Sequence, residues 1–75
     1  MINQGELIYI HKLDFPNGIV VSSPDMPINI ISLDEIQAMM VISKHGPELY
    51  SVLVTARNGI MYSIVIHSDW IKSVV

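Results

Sequence analysis

The stretch that decides the fold is Leu49–His67, which reads LYSVLVTARNGIMYSIVIH. Its Asn58-Gly59 pair lies between two runs rich in β-branched and aromatic residues. This dipeptide is the preferred chemistry for a two-residue hairpin turn, in which both turn residues have a positive φ. The sequence therefore predicts an antiparallel hairpin over these residues.

A two-residue turn also predicts which residues of the hairpin lie opposite each other. The predicted pairs on one side are Arg57 with Ile60, Thr55 with Tyr62, Leu53 with Ile64 and Ser51 with Ile66, and on the other Ala56 with Met61, Val54 with Ser63, Val52 with Val65 and Tyr50 with His67. Both sides are substantially apolar, whereas an antiparallel sheet with one wet face shows polar residues on that face. We therefore expect both faces of the hairpin to be covered.

Three further extended segments precede the hairpin. Apolar residues alternate over Glu6–Leu13, a turn follows at Asp14–Gly18, and Ile19–Val21 resumes the extended run. Prolines at 24 and 27 break the chain within residues 23–27, and Ile28–Ile31 is again extended.

The segment Ser32–Lys44 carries conflicting signals. Ser32 and Glu35 have the spacing of a capping box, and Gly46-Pro47 would end a helix. On a helical wheel, however, the apolar residues spread almost all the way round, whereas an extended chain places Ile36, Ala38, Met40 and Ile42 on one face. The pattern favours a strand slightly over a helix.

These elements predict a single mainly β domain over residues 1–75. The expected architecture is a small antiparallel barrel or a strongly bent sheet of five to six strands, with a short C-terminal helical turn beginning near Ser68-Asp69. The alternative is an α+β fold, in which a helix at about 33–44 packs on an antiparallel sheet.

The composition favours an interaction module over an enzyme. Apolar residues make up 51% of only 75 residues and charged residues 15%, and a domain of this size buries only about 60% of the surface that its unfolded chain exposes. We therefore expect an apolar patch that is completed by a partner. The absence of cysteine rules out a disulfide, and together with an amino terminus unlike a secretion signal it favours a cytoplasmic protein without a membrane-spanning segment.

Charge and motifs exclude several function classes. The net charge is −3 and the four cations, Lys12, Lys44, Arg57 and Lys72, are scattered along the chain, which disfavours nucleic-acid binding. Three histidines lack the spacing of a metal site, and no nucleophile motif or phosphate-binding glycine loop is present. We expect no enzymatic activity, catalytic residue, metal, cofactor or small-molecule substrate.

The sequence thus predicts a non-enzymatic protein–protein interaction module, either a homodimer or an inhibitor-like small protein that binds a larger cytoplasmic protein. The predicted contact residues are Tyr50, Val52, Val54, Met61, Val65 and Trp70. Two alternatives stay open. One is a nucleic-acid-binding small barrel, for which Lys12, Arg57 and Lys72 would have to converge; the other is a standalone inhibitor of the kind that mobile genetic elements encode.

Overall fold

The computed structural model describes residues 2–25 and 27–75, so Met1 and Met26, the latter within the predicted break at 23–27, lie outside the described residues. Within those ranges the chain forms three single 3₁₀ turns and no α-helix. The strands are β1 (Ile8–Ile10), β2 (Ile19–Val21), β3 (Asn29–Ile31), β4 (Ile36–His45), β5 (Leu49–Ala56), β6 (Met61–His67) and β7 (Ile71–Val74). The mainly β prediction is confirmed, and the α+β alternative has no support.

The strands form three antiparallel sheets. β4, β5 and β6 are consecutive neighbours, β1 pairs with β7, and β2 pairs with β3. Isolated bridges join the sheets at Leu7–Met40 and Ser22–Ser63. No closed barrel is found among the described strands, so the barrel prediction is not supported.

The structure has one strand more than the five to six predicted, because residues after the C-terminal turn form β7. Ser68–Trp70 makes the expected single helical turn, and Ile71–Val74 then pairs with β1. The residues after this turn therefore add a strand beside β1 and do not lie across the β5–β6 hairpin.

The segment Ser32–His45 follows its two conflicting signals one after the other, first the helical one and then the extended one. The Ser32 hydroxyl accepts a hydrogen bond from the Asp34 N–H (3.3 Å), and the Glu35 carboxylate accepts one from the Ser32 N–H (3.1 Å). This capping box stabilises one 3₁₀ turn, Leu33–Glu35, after which β4 begins at Ile36. Met39 and Val41 then enter the core at alternate positions, so burial decides for a strand.

The turn of the β5–β6 hairpin differs from the predicted two-residue turn. The Ala56 N–H donates to the Ile60 carbonyl (2.9 Å), which leaves Arg57, Asn58 and Gly59 as a three-residue loop. Gly59 has a φ of 90°, and no described residue other than glycine has a positive φ. A type I turn followed by a glycine bulge fits this pattern, whereas a two-residue type I′ turn would need a positive φ at Asn58 too.

The longer loop shifts the hairpin register by one residue from the prediction. Val54 lies opposite Tyr62 and Val52 opposite Ile64, where the prediction had Ser63 and Val65. Since side chains alternate between faces, this shift turns the even-numbered residues of β5 toward the same side as the even-numbered residues of β6. That shared side is the core.

The core draws side chains from six of the seven strands into one cluster. Its buried members are Ile8, Ile10, Ile19, Val21, Ile31, Met39, Val41, Tyr50, Val52, Val54, Ala56, Tyr62 and Ile66. No described polar or charged residue is buried with them. Hydrophobic burial across the sheets is therefore the main stabilising contribution of the fold.

Candidate protein-interaction surface

The structure divides five of the six predicted contact residues into two groups. Tyr50, Val52 and Val54 are at most 5% exposed and belong to the core, so their predicted placement on an exposed face is wrong. Met61 and Val65 are 56% and 54% exposed. The division follows from the register, because the one-residue shift reverses the faces of β5 relative to β6.

Trp70, the sixth predicted contact residue, lies away from the hairpin face. Its ring meets the ring of Phe15 edge to face, with 5.4 Å between centroids, and its side chain stays partly exposed. Phe15 packs against the core, so Trp70 covers the connection between β1 and β2. This contact gives Trp70 a structural role within the chain.

A row of exposed apolar side chains crosses β6, β2 and β3 on the side opposite the core. Val20 and Ile30 are register partners on β2 and β3. The Ser22–Ser63 bridge joins the end of β2 to β6. Val20 and Val65 each lie two residues from a bridged serine, so both project to the same side as that pair. We call Val65, Val20 and Ile30 the outer-face row.

The exposure of the outer-face row is high for apolar side chains. Val65, Val20 and Ile30 are 54%, 58% and 62% exposed, while Ile19, Val21 and Ile31 beside them are buried. Ile28, just before β3, is 76% exposed and extends the apolar surface. No residue of β2, β3 or β6 is Lys, Arg, Asp or Glu, so the row lies on an uncharged surface.

Sequence reasoning missed Val20 and Ile30 as surface residues. Both lie in three-residue strands, where neighbouring apolar residues on the two faces look alike. Successive side chains of Ile19-Val20-Val21 and of Asn29-Ile30-Ile31 point to opposite faces. This alternation shows which face is exposed only when the pairing partner of the strands is known. The Ser22–Ser63 bridge identifies β6 as that partner, and it joins residues that are far apart in sequence.

A groove of about 1090 Å³ opens elsewhere, between β1 and the first half of β4. Lys12, Arg57 and Lys72 all line it, so three of the four scattered cations do converge. Asp14, Asp34 and Asp69 line the same groove and balance their formal charge. The groove therefore offers both signs of charge and no basic patch.

Two of the three histidines, His45 and His67, lie in small polar clusters at the surface. The His45 Nε2 atom is 2.6 Å from the Ser51 hydroxyl and 3.2 Å from the Ser43 hydroxyl. His67 lies between two carboxylates, 3.3 Å from Glu48 and 3.5 Å from Asp69. In residues 2–25 and 27–75, no group of three or more His, Cys, Asp or Glu side chains is placed to hold a metal ion.

Comparison of the chain with protein-family models, curated proteins and solved structures finds no match. None of the helical segments in the described ranges has the length and apolar character needed to cross a membrane.

Proposed function

We propose that this chain is a non-enzymatic protein-interaction module that self-associates through the outer-face row. The observation that carries the proposal is the row itself: three β-branched side chains, each more than half exposed, on adjacent strands without a charged residue among them. Exposed apolar surface of this kind is typical of protein contact sites.

A second copy of the chain is the partner that the chemistry of the row favours. In an isologous contact the two subunits use the same patch, so each residue of the patch contacts that patch on the other subunit. An uncharged patch is suited to this arrangement, because like charges would repel across the two-fold axis. Two sheets that pack face to face about 10 Å apart would bury both rows.

The same surface would serve an inhibitor-like protein that binds a larger partner, and the concentration dependence of assembly separates the two cases. The convergence of Lys12, Arg57 and Lys72 in one groove supports the nucleic-acid alternative. The three carboxylates in the same groove argue against it, since affinity for a polyanion depends on net neutralisation of phosphates.

The test is the mass of the folded protein in solution, measured by light scattering across a dilution series up to high micromolar concentration. We expect the wild type to form dimers that dissociate on dilution, and Val20→Lys to stay monomeric at concentrations where the wild type is dimeric. Val20 projects away from the core, so the variant should keep the wild-type circular dichroism spectrum.

Val75→Lys is the matched control, because it makes the same substitution at a side chain that is 68% exposed and outside the row. It should assemble like the wild type. A strictly monomeric wild type, or equal weakening by both substitutions, would contradict self-association through the outer-face row.

A further inference from the structure

The groove between β1 and β4 arises where two neighbouring strands part. The Leu7–Met40 bridge holds the strands together at one point, after which β1 turns away to pair with β7. The first half of β4 pairs with β5 along one edge, but no strand of the described chain pairs with Gln37 or Ala38 along the other edge. An unpaired strand edge offers main-chain donors and acceptors to another extended chain.

Large apolar side chains line this groove. Tyr9 is 58% exposed and Leu13 is 94% exposed on one wall, and half-buried Leu33 and Ile36 lie on the other. Nothing in the described chain covers Leu13. The groove therefore has apolar surface to bury as well as a free strand edge.

The charged groups around the groove are available to an occupant. In the described part of the chain, the ion pairs involve only His67 with Glu48 and Asp69, so Lys12, Arg57 and Lys72 have no carboxylate partner. Arg57 is held in place at its base, where its Nε–H donates to the Asp34 carbonyl (2.9 Å).

We propose that this groove binds an extended peptide segment of a partner protein, one that carries apolar residues together with both acidic and basic residues. The free edge of β4 fits the main chain of such a segment, as in other cases of strand addition. Tyr9 and Leu13 would contact its apolar side chains. A charge-balanced rim complements a segment of mixed charge, whereas a polyanion would meet Asp14 and Asp34 as well as the cations.

This site shares no residue with the outer-face row, so the inference does not rest on the proposed self-association. Its probe is a phage library of random twelve-residue peptides selected on the wild-type protein. The most enriched peptide is then synthesised and titrated into ¹⁵N-labelled protein. We expect the backbone amide signals of Tyr9, Leu13, Gln37 and Ala38 to shift together as the groove fills.

Charge reversal provides the matched variants. Lys12→Glu and Lys72→Glu, at the groove, should each weaken peptide binding about fivefold. Lys44→Glu makes the same change in net charge outside the groove and should leave the affinity within about twofold of the wild type. All three should keep the circular dichroism spectrum and the self-association of the wild type, because none of these lysines lies in the core or the row.

Four outcomes would overturn the inference. One is a selection that yields no binding peptide. The second is a titration in which the protein signals that shift lie away from the groove. The third is a peptide affinity that falls equally in all three variants. The last is a single-stranded oligothymidylate that displaces the peptide from the groove, since that result would assign the cations to a polyanion.

Discussion

The two faces of the β5–β6 hairpin both carry β-branched apolar side chains, but in opposite environments. Val52 and Val54 on the inner face are fully buried, and Ile66 is 1% exposed. On the outer face Val65 is 54% exposed and Met61 is 56% exposed. In the observed register the inner face is apolar throughout, whereas the outer face alternates apolar residues with Ser51, Thr55, Ser63 and His67. Register separates them, and the three-residue loop at Arg57–Gly59 determines the register.

The largest expected effect comes from a charge on the inner face. Val54→Lys places an ammonium group where no described polar side chain is buried, and an unpaired buried charge is far more costly than the roughly 3–5 kcal/mol that a core of this size supplies. We expect the variant to be unfolded by circular dichroism. Val65→Lys, on the outer face, should be folded, and a folded Val54→Lys protein would contradict the face assignment.

Truncation of two adjacent β6 residues gives the next largest difference. Ile66→Ala removes core packing and should lower the free energy of unfolding by about 2–5 kcal/mol. Val65→Ala should change it by no more than about 0.5 kcal/mol. Urea unfolding followed by the fluorescence of Trp70, the single tryptophan, measures both. Similar losses at the two sites would mean that both faces are buried.

The smallest expected difference lies in the turn. Gly59→Ala should cost about 1 kcal/mol because an alanine there would have to keep a φ of 90°, although its Cβ would meet nothing within 4 Å. Asn58→Ala should cost about 0.5 kcal/mol, since Asn58 has no positive φ and loses only the bond from the Ile60 N–H to its side chain (3.0 Å). An equal or larger loss at Asn58 in urea unfolding would favour the two-residue turn.

Local sequence signals predicted the elements of the fold better than their connections. The Asn58-Gly59 pair predicted the hairpin, and the alternation after Ile36 favoured the strand that became β4. The pairing of β7 with β1 was not predictable in this way, because it joins Ile8 to Val74 across nearly the whole chain. The same holds for the Ser22–Ser63 bridge, which places β2 beside β6.

The candidate site was predictable only in part, for a specific physical reason. Asn-Gly is compatible with a two-residue turn and with a longer loop that ends in a glycine bulge, and the two differ by one residue in register. The wrong choice left β6 correctly oriented but reversed β5. Val65 is therefore exposed and Val54 buried, although the prediction placed both on one outer face.

The most direct test of the central claim, that the outer face of this hairpin is free in the monomer and covered on self-association, uses the absence of cysteine from the chain. In Val65→Cys the rate of maleimide labelling reports access to the outer face, with Val75→Cys as the control. We predict rapid labelling of folded, dilute Val65→Cys protein and slower labelling as the concentration rises, while the control labels at a constant rate. A thiol at position 65 that is protected in the dilute folded protein, or labelled at one rate at every concentration, would contradict the claim.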